Sequence, residues 1–202
     1  MFVNFAADVK VHPERRKDVI AAELPSVAIG MQRAIPGYNL TILGDVILKR
    51  TNLMEIGQLC TNSMMGMTLD LNMAELYNKE GGNDERVKEW QKTQEPAAGD
   101  RSMQPVLVVQ GLNDTGVLPY ATEVAWERSC KSGNSVQLRL YDGFYHSPTV
   151  AASAAEWLAW IRSRFAMKTL PHGCEKKTRA AINKKFVKAP AEFDLPGIVW
   201  RS

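Results

Sequence analysis

The sequence has no apolar run approaching the roughly 18 residues that a membrane-crossing helix needs. Its longest candidate, residues 149–161, is interrupted by Glu156, so no transmembrane segment is expected. No export signal is expected at residues 1–16 either. Residues 1–16 carry Asp8, Lys10, Glu14, Arg15 and Arg16 where a secretory signal has an uninterrupted apolar stretch and a small-residue cleavage site. Cysteine is scarce: Cys60, Cys130 and Cys174 form no CxxC motif and stand near no second histidine at ligand spacing. Zinc and thioredoxin-like chemistry therefore have no support. Three cysteines allow at most one internal disulfide, and the residues alone leave open whether all three are reduced thiols.

Charge of one sign is in small excess, with a net value of +3. Residues 168–188 hold seven basic side chains against Glu175, so the remainder of the chain is mildly acidic. The basic tail holds a single aromatic, Phe186, among its lysines; it reads as a solvated extension, and no nucleic-acid partner is expected.

What is present describes a globular chain. Its 202 residues are 45% hydrophobic and 23% charged, enough for one sizeable core with an attached subdomain. Residues 2–6 are short and apolar, as a strand is. Residues 13–94 then read as several helices broken at Pro25, Pro36-Gly37, Gly57 and Gly81-Gly82. Within this half, Met64, Met65 and Met67 stand close to Leu69 and Leu71. Such a cluster fills a core or, alternatively, lines an adaptable apolar pocket.

After a polar linker at 96–104 the texture changes. Val106, Leu107, Val108 and Val109 form an unbroken run of the kind buried on both faces of a parallel sheet. A turn at 111–116 follows, then a helix that starts at Pro119 and stops at Gly133. Val136, Leu138 and Leu140 alternate with Gln137, Arg139 and Tyr141, which predicts a strand near a sheet edge. After a second loop at 142–148, Val150, Ala154, Trp157, Ile161 and Phe165 recur at helical spacing, which predicts one amphipathic helix laying a stripe on the sheet. Residues 105–167 thus read strand, helix, strand, helix.

Two strands joined by one helix should lie parallel with a right-handed crossover, opening their carboxyl ends on the same edge. The loops holding Asp114 and His146 are then neighbours, at the edge where open α/β sheets place ligands and chemistry. Taken singly, Asn113 and Asp114 are turn formers, and His146 has the option of simply bonding nearby backbone. Taken together they suit a carboxylate that fixes the tautomer of an imidazole, leaving its other nitrogen to accept a proton from a nucleophile. Histidine fits that task because its ordinary pKa is near neutrality. His12 and His172 adjoin prolines in charged or tail segments and read as surface residues.

The stretch 105–165 contains Pro-Val-Leu-Val-Val-Gln-Gly-Leu-Asn-Asp, Cys-Lys-Ser-Gly-Asn, Leu-Tyr-Asp-Gly-Phe-Tyr-His and Glu-Trp-Leu-Ala-Trp-Ile-Arg-Ser-Arg-Phe. It resembles the carboxyl-terminal third of secretory lipases, the lipase A-like branch of the α/β-hydrolase superfamily. Residues 19–60, with Leu-Pro-Ser-Val-Ala-Ile-Gly, Ile-Pro-Gly-Tyr and Cys60, resemble its helical cap more loosely, and the likeness extends over about residues 1–174. The resemblance implies a partial α/β-hydrolase fold: about three parallel strands with flanking helices, plus a mainly helical cap over residues 1–95. The linker at 96–104 leads into a hydrolase segment at 105–174, and residues 175–202 form a tail without a family counterpart.

The same resemblance implies Asp114 as acid and His146 as base of a Ser-Asp-His triad, a disulfide between Cys130 and Cys174, and a cap partner for Cys60 upstream of Met1. It also implies hydrolysis of lipid or small-molecule carboxylic esters without cofactor or metal, secretion, and a cap that shelters an acyl chain. One departure limits this. No serine has glycines two residues before and after it, so the Gly-x-Ser-x-Gly nucleophile elbow is absent. Ser135 precedes a strand, Ser63 has Gly66 at the wrong spacing, and Ser147 merely adjoins His146. The chain therefore corresponds to the distal part of a hydrolase. The alternative is an inactive remnant or binding module derived from one. With a neighbouring strand missing, the 106–110 strand is also expected to offer an unpaired edge for self-association.

Overall fold

The computed structural model describes residues 19–180 except 96, 98, 115 and 171. The strand expected at 2–6 lies outside the described residues. The chain divides into two compact units, residues 1–96 and 97–202.

The first unit is helical. Helix α1 (Val19–Ala34) packs with α2 (Asp45–Ile56), α3 (Thr61–Gly66) and α4 (Met73–Leu76), and a single 3₁₀ turn (Gly81–Asn83) leads into α5 (Glu85–Gln94). The expected break at Pro25 does not occur, because Pro25 lies inside α1. A proline there forfeits one backbone bond. The buried side chains of Leu24, Ala28, Ile29 and Met31 on the same helix offset that loss by core packing. Apolar residues from every helix of the unit meet around Tyr38, Ile42, Ile47 and Met54, while Met64, Met67 and Leu71 pack onto that core and Met65 is buried. The methionine cluster is thus core filling. Only glycine fits at Gly81, since a Cβ there would lie 1.6 Å from the carbonyl oxygen of Thr41.

Polar staples close this unit. Asp84 caps α5 by accepting from the Arg86 N–H at 3.0 Å, and it also receives the Arg86 guanidinium and the Thr41 hydroxyl. The Arg86 hydrogen bonds hold the Asp84 carboxyl down at about 2, against an ordinary 3.8. Arg50 grips Asp70 through two 2.7 Å bonds, and that carboxyl also falls to about 2.

The second unit is mixed α/β. Strands β1 (Val106–Gly111), β2 (Val136–Tyr141) and β3 (Glu175–Arg179) form a parallel sheet in the order β1-β2-β3. Helix α6 (Pro119–Lys131), with Pro119 in its first turn, joins β1 to β2. Helices α7 (His146–Ala152) and α8 (Ala154–Phe165) stand between β2 and β3.

Three expectations are corrected here. First, β2 is the central strand rather than a near-edge one, and Val136, Leu138, Leu140 and Tyr141 are all buried. Fully burying an aliphatic side chain such as Leu138 stabilises by about 1.5–3 kcal/mol. Second, the single helix expected over 150–165 is two, divided at Ser153, whose hydroxyl donates to Thr149 O at 2.7 Å. Its apolar stripe is covered only in part: Ala154 and Trp157 are half-buried, while Val150, Ile161 and Phe165 are exposed. Third, the tail assigned from residue 175 as a solvated extension begins with a strand. Residues 175–179 have no apolar side chain, and β3 is held by its ladder to β2 and by ion pairs. Arg139, itself buried, reaches Glu156 at 2.8 Å and Glu175 at 2.6 Å, while Arg179 reaches Glu156 at 3.1 Å. Burial opposes ionisation of Glu156. The bonds from Tyr141, Arg139 and Arg179 outweigh it and hold the carboxyl below its ordinary value.

A disulfide joins Cys130, near the end of α6, to Cys174, just before β3, with Cα atoms 5.9 Å apart. Cys60 is an exposed free thiol. Among the described residues, no helix is long and apolar enough to cross a membrane.

Acid acts on carboxylates of both units, and reduction of the disulfide acts on the second. Because the folded-state proton affinities of Asp84 and Asp70 are depressed, their contribution to stability is whole above 3.8 and is lost as pH falls towards about 2. Urea titrations across that window should show the first unit weakening, with a flatter profile in Asp84→Asn. Reducing the disulfide, which spans 44 positions, should lower the stability of the second unit by about 2–4 kcal/mol in denaturant unfolding.

Candidate active site

The site is built by two strand ends. In the β1–β2 register Gly111 lies opposite Tyr141, so both chains leave the sheet at the same edge. The loops that follow are bonded to each other through backbone: Leu112 N–H donates to Tyr141 O at 2.9 Å and Asn113 N–H to Phe144 O at 3.0 Å. Gly111 permits this approach. A Cβ at that position would lie 2.2 Å from the Phe144 carbonyl oxygen and 2.3 Å from Thr149 Oγ1.

The two loops bring Asp114 and His146 together. Asp114 Oδ2 lies 2.8 Å from His146 Nδ1. The aspartate is 5% exposed, and the imidazole, on the first residue of α7, is 56% exposed. Asp114 Oδ1 accepts the Gly116 N–H at 2.9 Å and the Val117 N–H at 2.8 Å. One carboxylate oxygen thus makes the turn while the other addresses the imidazole, and the two readings of Asp114 are compatible. Nδ1 is committed to the carboxylate, which leaves Nε2 as the atom able to exchange a proton with a reacting group.

Two residues that the sequence did not single out complete the aspartate loop. Gln110, the penultimate residue of β1, is buried, and its Nε2 donates to Gly111 O at 2.8 Å, Val117 O at 3.0 Å and Asp114 Oδ2 at 3.2 Å. Thr122 of α6 donates its hydroxyl to Gln110 Oε1 at 2.5 Å. The available signal was a polar residue closing an apolar strand run immediately before the turn.

Of the serines weighed as nucleophiles, two lie outside the loops that hold Asp114 and His146. Ser135 sits at the amino end of β2, the end opposite His146, and its hydroxyl accepts the Gly173 N–H at 3.1 Å. Ser63 belongs to the helical unit and shares a 3.4 Å contact with Cys60 Sγ. Ser147 is exposed on α7 beside His146. Among the described residues, no group of three or more His, Cys, Asp or Glu side chains is arranged to hold a metal ion.

No protein-family model, curated protein or solved structure matches the chain. What bears on function is therefore the site itself.

A methyl group at residue 111 tests the approach of the loops. Gly111→Ala should force them apart at a cost of about 1–3 kcal/mol and break the Asp114–His146 contact. Denaturant unfolding gives the first quantity, and the side-chain ¹⁵N shifts of His146 report the second.

Proposed function

We propose that this chain supplies the acid and the base of a Ser-Asp-His hydrolase of the lipase and esterase type, acting on lipid or small-molecule carboxylic esters. The observation that carries it is the 2.8 Å contact between a buried aspartate and an exposed imidazole at the carboxyl edge of a parallel sheet. Such an edge is where α/β folds gather their chemistry. The likeness of 105–165 to secretory lipases supports the same assignment, with residues 1–95 as cap. On this reading the second unit is a partial α/β-hydrolase fold.

The chemistry follows from the two side chains. A nucleophilic hydroxyl gives its proton to His146 Nε2 as its oxygen attacks the ester carbonyl carbon, and Asp114 stabilises the imidazolium through Nδ1. The carbonyl electrons move to oxygen and return, breaking the bond to the leaving alcohol, which takes the proton from Nε2. Water then repeats the sequence on the acyl intermediate. The hydroxyl comes from outside this sequence, since no serine here stands in an elbow. The same reading takes the outer edge of β1 as a seat for a further strand, whether from a fuller protein or from a second copy of the chain.

The missing elbow favours a second reading, a binding module or inactive remnant that keeps the pair without turnover. Two measurements separate them. The purified chain should form no serine adduct with a fluorophosphonate probe; a stoichiometric adduct would place the nucleophile within these residues. The transcript upstream of the Met1 codon should contain an in-frame Gly-x-Ser-x-Gly, and a stop codon in its place would favour the remnant.

A further inference from the structure

We propose that Gln110 is a positioning residue, which holds the Asp114 carboxylate in the rotation that presents Oδ2 to His146. This deepens, and rests on, the hydrolase reading of the same site. Three observations on one side chain carry it. The orientation of the amide is fixed, because Gly111 O, Val117 O and Asp114 Oδ2 are acceptors only, and just the NH₂ end can serve all three. Its other end is fixed independently, by the Thr122 hydroxyl from α6 at 2.5 Å. Gln110 is also 4% exposed, so water is poorly placed to replace a lost bond.

The geometry divides the work around the carboxylate. Backbone N–H groups of Gly116 and Val117 hold Oδ1, and those bonds alone leave the carboxylate able to swing about that oxygen. Gln110 Nε2 closes on Oδ2, the oxygen that faces the imidazole, and at the same time ties both flanks of the turn, Gly111 and Val117. A donor on that oxygen stabilises its negative charge without supplying a competing positive one. The chain of bonds thus runs from Thr122 through Gln110 and Asp114 to His146, and helix α6 sets the direction of the imidazole through one neutral amide.

The test reads the tautomer of His146 by side-chain ¹⁵N NMR on the full chain in alkaline buffer. Gln110→Met keeps length and apolar volume but removes the donor. It should reduce the ratio of Nδ1–H to Nε2–H forms by about fivefold, a loss of the size of one net hydrogen bond passed on to the Asp114–His146 contact. Thr122→Val, which leaves Gln110 in place but frees its far end, should shift the ratio in the same direction by a smaller factor, and it serves if Gln110→Met fails to fold. Leu138→Ala weakens the same sheet from a position outside the site and should leave the ratio unchanged.

If both site variants lower the melting temperature while the ratio stays at its starting value, Gln110 only fills the turn and the inference is overturned. Asp114→Asn is the control for the underlying reading. A ratio indifferent to Asp114→Asn removes the pair itself, whereas a response to Asp114→Asn with none to Gln110→Met or Thr122→Val removes only the role of Gln110.

Discussion

Because β1 and β2 run parallel with Gly111 opposite Tyr141, the two loops that follow them are committed to one edge of the sheet and bonded to each other there through backbone. Everything chemical in the chain depends on that register. An antiparallel pairing would send the residues after β1 and β2 to opposite ends, and an aspartate and a histidine in those loops would not meet. A slip by one residue would carry Gly111 away from the Phe144 carbonyl and bring a side chain against it. The side chains of the slipped strand would exchange faces.

The pairing of Asp114 with His146 was legible in the sequence for a physical reason. A short apolar run, a polar turn, a helix and a second run define a parallel crossover, and the crossover places Asp114 and His146 without any knowledge of the remaining chain. What was not legible lay where a tertiary partner changes the meaning of a residue. Gln110 reads as the polar end of a strand until three acceptors and a threonine surround it. Glu175, Lys176, Lys177, Thr178 and Arg179 have no strand pattern, and they form β3 only because β2 offers a ladder and Arg139 a partner. Pro25 signals a helix end by local geometry, and core burial overrides it. Residues 150–165 show helical spacing correctly, but spacing alone does not say whether a stripe is covered, and here Val150, Ile161 and Phe165 are exposed.

The polar face of the second unit shows how a sheet can be closed without an oily strand. Gln137, Arg139 and Tyr141 alternate along β2, and this period would ordinarily point to water. Here the positions meet Glu156 of α8 and Glu175 of β3 instead, with Tyr141 donating to Glu156 at 2.8 Å. A buried guanidinium is tolerated only when its charge is met and its donors are satisfied. Two carboxylates meet the charge of Arg139, and its remaining donors reach Gln137 and a backbone carbonyl. The basic strand is therefore specified by charge matching, and the alternation that suggested an edge marks instead a face covered by charged neighbours.

The bridge between Cys130 and Cys174 encloses β2, the histidine loop and both following helices, but not the aspartate loop. A protease that nicks the main chain anywhere among those 44 positions releases no fragment. For a cut between 130 and 146, the piece bearing the imidazole stays tethered to the one bearing the carboxylate, and so the cut ends remain at high effective concentration for one another.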